Sequence, residues 1–136
     1  MEIKVFNELH QDCIFIRNEV FVKEQKFENE FDDIDKISKH IVLYKENEAI
    51  GTCRVFKEDN HYVIGRVAVL FNYRSGGYGK KLIIAAEELI KSLGGTDIKI
   101  SAQVRIKDFY QKLGYVMYGE EYLDEYCPHI IMLKSI

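Results

Sequence analysis

Seven consecutive residues, Arg74-Ser75-Gly76-Gly77-Tyr78-Gly79-Lys80, combine glycine with positive charge between an apolar run, Val67-Ala68-Val69, and a helical pattern that begins near Leu82. Glycine lets a backbone come close to a ligand and present consecutive N–H groups, a helix N-terminus adds partial positive charge, and Arg74 and Lys80 can neutralise phosphate. A pyrophosphate suits such a cradle. Glycines that only ease entry into a helix are the plainer reading of the same residues. Two common nucleotide loops do not fit. The pattern G-x-x-x-x-G-K-[ST] needs glycine where Arg74 stands and serine or threonine where Lys81 stands. A G-x-G-x-x-G pattern started at Gly77 ends on Leu82, and the strand before it is internal to the chain rather than the opening strand of a βαβ unit.

These residues need elements to hold them. The alternation of Met1-Glu2-Ile3-Lys4-Val5-Phe6 predicts a strand, and Leu9, Cys13, Ile16 and Val20 fall on one face of a helix. Between residues 23 and 36, Glu24, Glu28, Glu30, Asp32, Asp33 and Asp35 surround only Phe27, Phe31 and Ile34, which predicts an irregular loop or short helix too polar for the core. Three β-rich runs at 41–44, 49–56 and 62–70 are separated by charged, turn-like segments and predict antiparallel strands joined by hairpins. Leu82, Ala85, Ala86, Leu89, Ile90 and Leu93 keep helical spacing up to Gly94-Gly95, where glycine can supply a left-handed cap. Ile98, Ile100 and Ala102 alternate as a strand, 107–113 suits a short helix ending at Gly114, and 115–118 and 129–133 read as extended. Together they predict an α/β (α+β mixed) fold, a central twisted mixed β-sheet flanked by helices, in a single domain over 1–136.

Composition narrows the classes. With 47% hydrophobic residues, eight Phe and nine Tyr, the chain can build a core and is not disordered as a whole. Its apolar runs fall far short of the roughly 18 residues of a membrane span, and the N-terminus lacks a signal-peptide pattern, so a cytoplasmic protein is expected. Cys13, Cys53 and Cys127 are scattered and show no C-x-x-C spacing, which predicts reduced thiols and no structural metal. His10, His61, Tyr118, Tyr122 and Tyr126 show no metal-site or base-stacking spacing. A net charge of -3 disfavours a broad nucleic-acid surface but leaves room for a local basic pocket.

The pattern R-x-x-G-x-G formed by Arg74, Gly77 and Gly79 resembles the coenzyme A pyrophosphate loop of the GNAT superfamily of N-acetyltransferases. Val67-Ala68-Val69 stands where that superfamily has its central strand, and Phe109-Tyr110-Gln111-Lys112-Leu113-Gly114-Tyr115 is similar to its F-Y-x-x-L-G-[FY] segment. Arg17-Asn18-Glu19-Val20-Phe21-Val22-Lys23-Glu24-Gln25, Ala102-Gln103 and Pro128-His129 resemble the ElaA-type branch, so the likeness spans nearly the whole chain. Phe71 stands where many members carry proline and Gln103 where many carry asparagine, whose amide glutamine can replace.

This resemblance implies an acyl-CoA N-acyltransferase-like fold and an acetyl-CoA-dependent N-acetyltransferase acting on a primary amine of a small molecule, without metal. It implies that Val67, Ala68 and Val69 pair with the pantetheine arm and that an N–H near Val69 meets the developing oxyanion. By the same likeness residues 74–80 hold the pyrophosphate, Gln103 and Phe109 complete the cofactor site, and Tyr110 protonates the departing thiolate. An acceptor amine is protonated at neutral pH, with a pKa near 10.4, so a base or a water chain must take its proton. Glu24, His129 and His40 are the candidates; a solvated carboxylate and a strand-end histidine are the plain alternatives. Direct attack is preferred to an acyl-enzyme on Cys127. The competing class is a non-catalytic acyl-CoA-binding or sensor module. A homodimer through exposed strands or the aromatic C-terminal segment also fits the sequence.

Overall fold

The computed structural model describes residues 1–136. Its frame is one seven-stranded sheet in the order β1-β2-β3-β4-β5-β7-β6. The strands are β1 (Glu2–Phe6), β2 (Lys39–Lys45), β3 (Glu48–Glu58), β4 (His61–Val69), β5 (Asp97–Gln103), β6 (Val116–Asp124) and β7 (Cys127–Ser135). All neighbours are antiparallel except β4 and β5. The charged segments 45–48 and 57–60 are the hairpin turns that the sequence predicts, with Glu46, Asn47 and Asp59 at positive φ.

Helices cover the two faces. On one, α2 (Tyr78–Ser92) lays Leu82, Ile83, Ala86 and Ile90 against Cys53, Val55, Ile64, Ile98 and Ile100, which is the burial its helical spacing requires. On the other, α1 (Gln11–Arg17) packs Cys13 and Ile16 with Val42 and Ala68. A third, short helix, α3 (Lys107–Lys112), precedes β6. The spacing of Leu9 through Val20 predicts one helix, but the α-helical part ends at Arg17 and a wider π-helical stretch, Asn18–Glu24, continues it. One of its widened bonds runs from Gln25 N–H to Val20 C=O at 3.1 Å. Such widened turns favour functional sites, and this one ends on Glu24 and Gln25.

The acidic segment is the main departure from the sequence reading. Glu30 and Asp35 are each only 4% exposed, so the stretch does enter the interior. Three arginines from elsewhere in the chain make this possible. Arg17 reaches Asp35 at 2.7 Å and Glu30 at 2.8 Å, Arg54 reaches Asp32 at 2.7 Å and Asp35 at 3.0 Å, and Arg66 reaches Glu30 at 3.0 Å. Buried carboxylates persist when paired in this way. The two C-terminal extended runs are also longer than predicted and form the β6–β7 hairpin.

β4 and β5 set up the site. They pair in parallel only from Tyr62↔Ile98 to Ile64↔Ile100. Opposite β3, Gly65 faces Arg54 and Ala68 faces Thr52, so Arg66 and Val67 share the place opposite Cys53. Arg66 takes φ 51, as a bulge demands. The bulge turns β4 aside while β5 stays paired with β7 as far as Gln103↔His129. A slot therefore opens between residues 65–69 and 101–103, with backbone groups along both walls. No helix is long and apolar enough to cross a membrane.

Candidate active site

One end of the slot meets the glycine-rich turn. Gly77 caps α2 at φ 80, and the first helical bond runs from Lys81 N–H to Gly77 C=O at 3.2 Å. The amides of Tyr78, Gly79 and Lys80 thus lack intrahelical acceptors. A Cβ on Gly79 would stand 3.3 Å from Phe109 Cζ, so glycine there lets α3 close on the cradle. Lys45, which the sequence did not single out, donates to the Tyr78 hydroxyl at 2.8 Å and brings further positive charge. The free N–H groups and cations fit a pyrophosphate.

Arg74 does not hang free. Its guanidinium binds both carboxylate oxygens of Glu24 at 2.6 and 2.8 Å, its Nε donates to the Val69 carbonyl at 3.0 Å, and it lies 5.5 Å from the Phe71 ring centroid. Phe71 thereby supports the guanidinium from the position where many members of the resembled superfamily carry proline. The Arg74 hydrogen bonds outweigh burial and hold the Glu24 carboxyl below its ordinary range. Glu24 is therefore tied to the glycine-rich turn, and it does not line the cavity at the other end.

That cavity, of about 370 Å³, is lined by Val67, Gln103, Tyr110, Tyr122 and His129 among others. His129 is 7% exposed, and its Nδ1 lies 2.8 Å from the Cys127 carbonyl. A carbonyl can only accept, so Nδ1 carries a proton, and whenever the ring is neutral its lone pair is on Nε2. Tyr122 packs beside this ring, with centroids 6.0 Å apart, and its hydroxyl is hydrogen-bonded to that of Ser101. Tyr110 is 3% exposed, and burial pushes its phenol far above the ordinary value. It stays protonated and keeps a proton to donate.

The remaining candidates fall elsewhere or serve the frame. Gln103 donates to Gln25 Oε1 at 2.8 Å and accepts from Arg105 Nε at 2.9 Å, so its amide is engaged inside the protein. His40 is 1% exposed and donates from Nε2 to the Asp35 carbonyl at 2.9 Å, within the ion network and outside the cavity. Burial raises the Cys127 thiol, which disfavours the thiolate that a nucleophile needs. Sequence spacing passed over Tyr122 and Ser101, because they meet only through the β5-β7-β6 order.

Fold and sequence agree on the class. The model of a family described as an acetyltransferase (GNAT) domain matches residues 9–136, and the chain belongs to that family. Among its relatives, the uncharacterized protein YyaT of Bacillus subtilis is 35% identical, with 95% of this chain and 90% of that protein covered. Protein ElaA of Escherichia coli is 29% identical over 89% of this chain and 84% of its own length. The crystal structure of Escherichia coli ElaA superposes with a TM-score of 0.87, at 27% identity and 98% coverage of both chains. An acyl-CoA N-acyltransferase from Pseudomonas aeruginosa is similar at 0.87, with 25% identity and 98% of both chains covered. The mixed sheet with its flanking helices is thus the acyl-CoA N-acyltransferase fold.

Proposed function

We propose that this protein transfers an acetyl group from acetyl-CoA to a primary amine by direct attack. The observation that carries the reading is the opened β4–β5 slot, which joins a cradle of free N–H groups at one end to a cavity holding Tyr110 and His129 at the other. Residues 74–80 bind the pyrophosphate, and the backbone of Val67, Ala68 and Val69 pairs with the pantetheine arm. His129 Nε2 takes a proton from the acceptor ammonium, and the freed nitrogen attacks the thioester carbonyl. An N–H near Val69 stabilises the oxyanion. When the carbon–sulfur bond breaks, the Tyr110 hydroxyl supplies the proton that makes the leaving thiolate a thiol, and the nitrogen, now part of an amide, returns its second proton to the phenolate.

Titration calorimetry with acetyl-CoA, compared with adenosine diphosphate, tests the cosubstrate, and release of free thiol in the presence of amines tests the reaction. Selective binding and amine-dependent thiol release are expected. Tyr110→Phe keeps the ring and loses the donor, so kcat should fall while acetyl-CoA affinity holds. Binding with no thiol release for any amine would instead make the protein an acyl-CoA-binding module.

The clasp between Arg74 and Glu24 separates two roles for Glu24. Arg74→Ala should weaken acetyl-CoA binding by about 1 to 3 kcal/mol, roughly 5- to 150-fold. Glu24→Gln should shift the KM for acetyl-CoA and leave the pH profile of kcat in place, because Glu24 positions Arg74. Loss of the acidic limb of that profile would return Glu24 to the role of base.

A further inference from the structure

The charges that line the cavity are unequally matched. Arg54 and Arg66 are paired with carboxylates of the buried network, and Lys99 holds Glu58 at 3.0 Å. Glu30 and Glu58 are consumed in those same pairs. At the turn of the β6–β7 hairpin, Glu125 accepts the Glu28 N–H at 2.9 Å. Asp124, which also lines the cavity, has neither an ion pair nor a hydrogen bond within the protein. Among the charged side chains of the lining, Asp124 is therefore the one left without a partner; Arg105, outside the lining, bonds Gln103 and is a further cation, close enough to act on Cys127. At the hairpin, Phe27 packs on Tyr126 with centroids 5.4 Å apart and supplies an aromatic wall, a surface that favours a cation.

A second, independent feature fixes the other end of a ligand. His129, nine-tenths buried, lines the same cavity, and its Nε2 makes no hydrogen bond within the protein. The strand register gives the separation. Tyr122 lies opposite His129 and Asp124 opposite Cys127. Two residues along a strand span about 7 Å. Tyr122 and Phe27 line the same cavity.

Building on the acetyl-transfer reading, we propose that the acceptor is a dicationic amine, a short α,ω-diamine or a molecule containing one. One nitrogen gives up its proton to His129 and reacts, while the second stays protonated and is held by Asp124 at the cavity mouth.

The test compares 1,4-diaminobutane with n-butylamine as acceptors, in the wild-type protein and in Asp124→Asn. The diamine should be preferred about tenfold in kcat/KM at low ionic strength, the size expected for one partly screened charge pair. The preference should shrink as sodium chloride is added and fall toward parity in Asp124→Asn. Equal use of the two amines by the wild-type protein, or a preference that survives Asp124→Asn, would overturn the proposal. Calorimetry of 1,4-diaminobutane against the protein saturated with coenzyme A gives a readout independent of chemistry. Asp124-dependent binding without acetylation would sink the transfer reaction and leave the cation site standing. Acetylation of both amines without preference would do the reverse, and absence of diamine binding would sink the cation site outright.

Discussion

His129→Gln is expected to lower kcat by about 10²- to 10⁴-fold, the range that a positioned general base contributes. One hydrogen bond sets the orientation of the ring. Because the Cys127 carbonyl can only accept, Nδ1 is the donor, and in the neutral ring of this cavity-lining histidine the lone pair is on Nε2. Glutamine keeps the size and polarity of the side chain but offers no basic nitrogen. The KM for acetyl-CoA should therefore change little, since the cradle is untouched, whereas the acidic limb of the kcat/KM profile should disappear with the base. A rate and profile equal to wild type in a folded variant would assign deprotonation of the amine to a water chain. The competitors lack this geometry: Glu24 is held by Arg74, and His40 is used within the ion network.

What the sequence revealed was local, and what it hid was assembled from distant parts. The cradle could be read because the pattern of residues 74–80 is contiguous and the helix after it has clear periodicity. The short helix that carries Tyr110 could be read because its segment is contiguous and ends at Gly114. The opening of the slot could not be seen, since it depends on Arg66 adopting a left-handed backbone and on where β4 stops pairing with β5. The full length of β6 was hidden for another reason. All of its residues are exposed, so no in-and-out alternation marks it. The free nitrogen of His129 is set by a carbonyl two residues away, a matter of conformation that composition cannot report. The acidic segment misled most, because a carboxylate is judged solvated unless its partner is known, and Arg54 and Arg66 lie on other strands.

Those same partners make Arg17→Met the substitution with the largest expected effect on stability. Arg17 is 1% exposed and holds both Glu30 and Asp35. Methionine fills comparable space but leaves two carboxylates buried with one cation fewer. Breaking one side of a buried ion pair costs about 3 to 5 kcal/mol, against a total stability of about 5 to 15 kcal/mol for an ordinary domain. Urea unfolding should therefore show a much lower midpoint with a similar slope, and adding Glu30→Gln should recover part of the loss by removing one stranded charge. A midpoint within error of wild type would mean that the network contributes nothing net. The pH dependence follows from the same cluster. Burial raises the Asp35 carboxyl, but bonds and charge from Arg17 and Arg54 win and hold it at about 2. Its folded value lies below its unfolded one, so its contribution is complete above the ordinary aspartate value near 3.9 and is lost as pH falls toward 2, about 2 kcal/mol in all. Glu30 moves the opposite way, because its burial outweighs Arg66 and Arg17. Acid therefore first favours the fold slightly as Glu30 takes its proton, then destabilises it as Asp35 does. In the Arg17→Met protein the acid-induced loss below pH 4 should shrink, since the cation that held Asp35 ionised is gone. The loss matters for function because Phe21 and Phe27, which roof the cavity, lie between Arg17 and Glu30 in the chain and are held by that network from both ends.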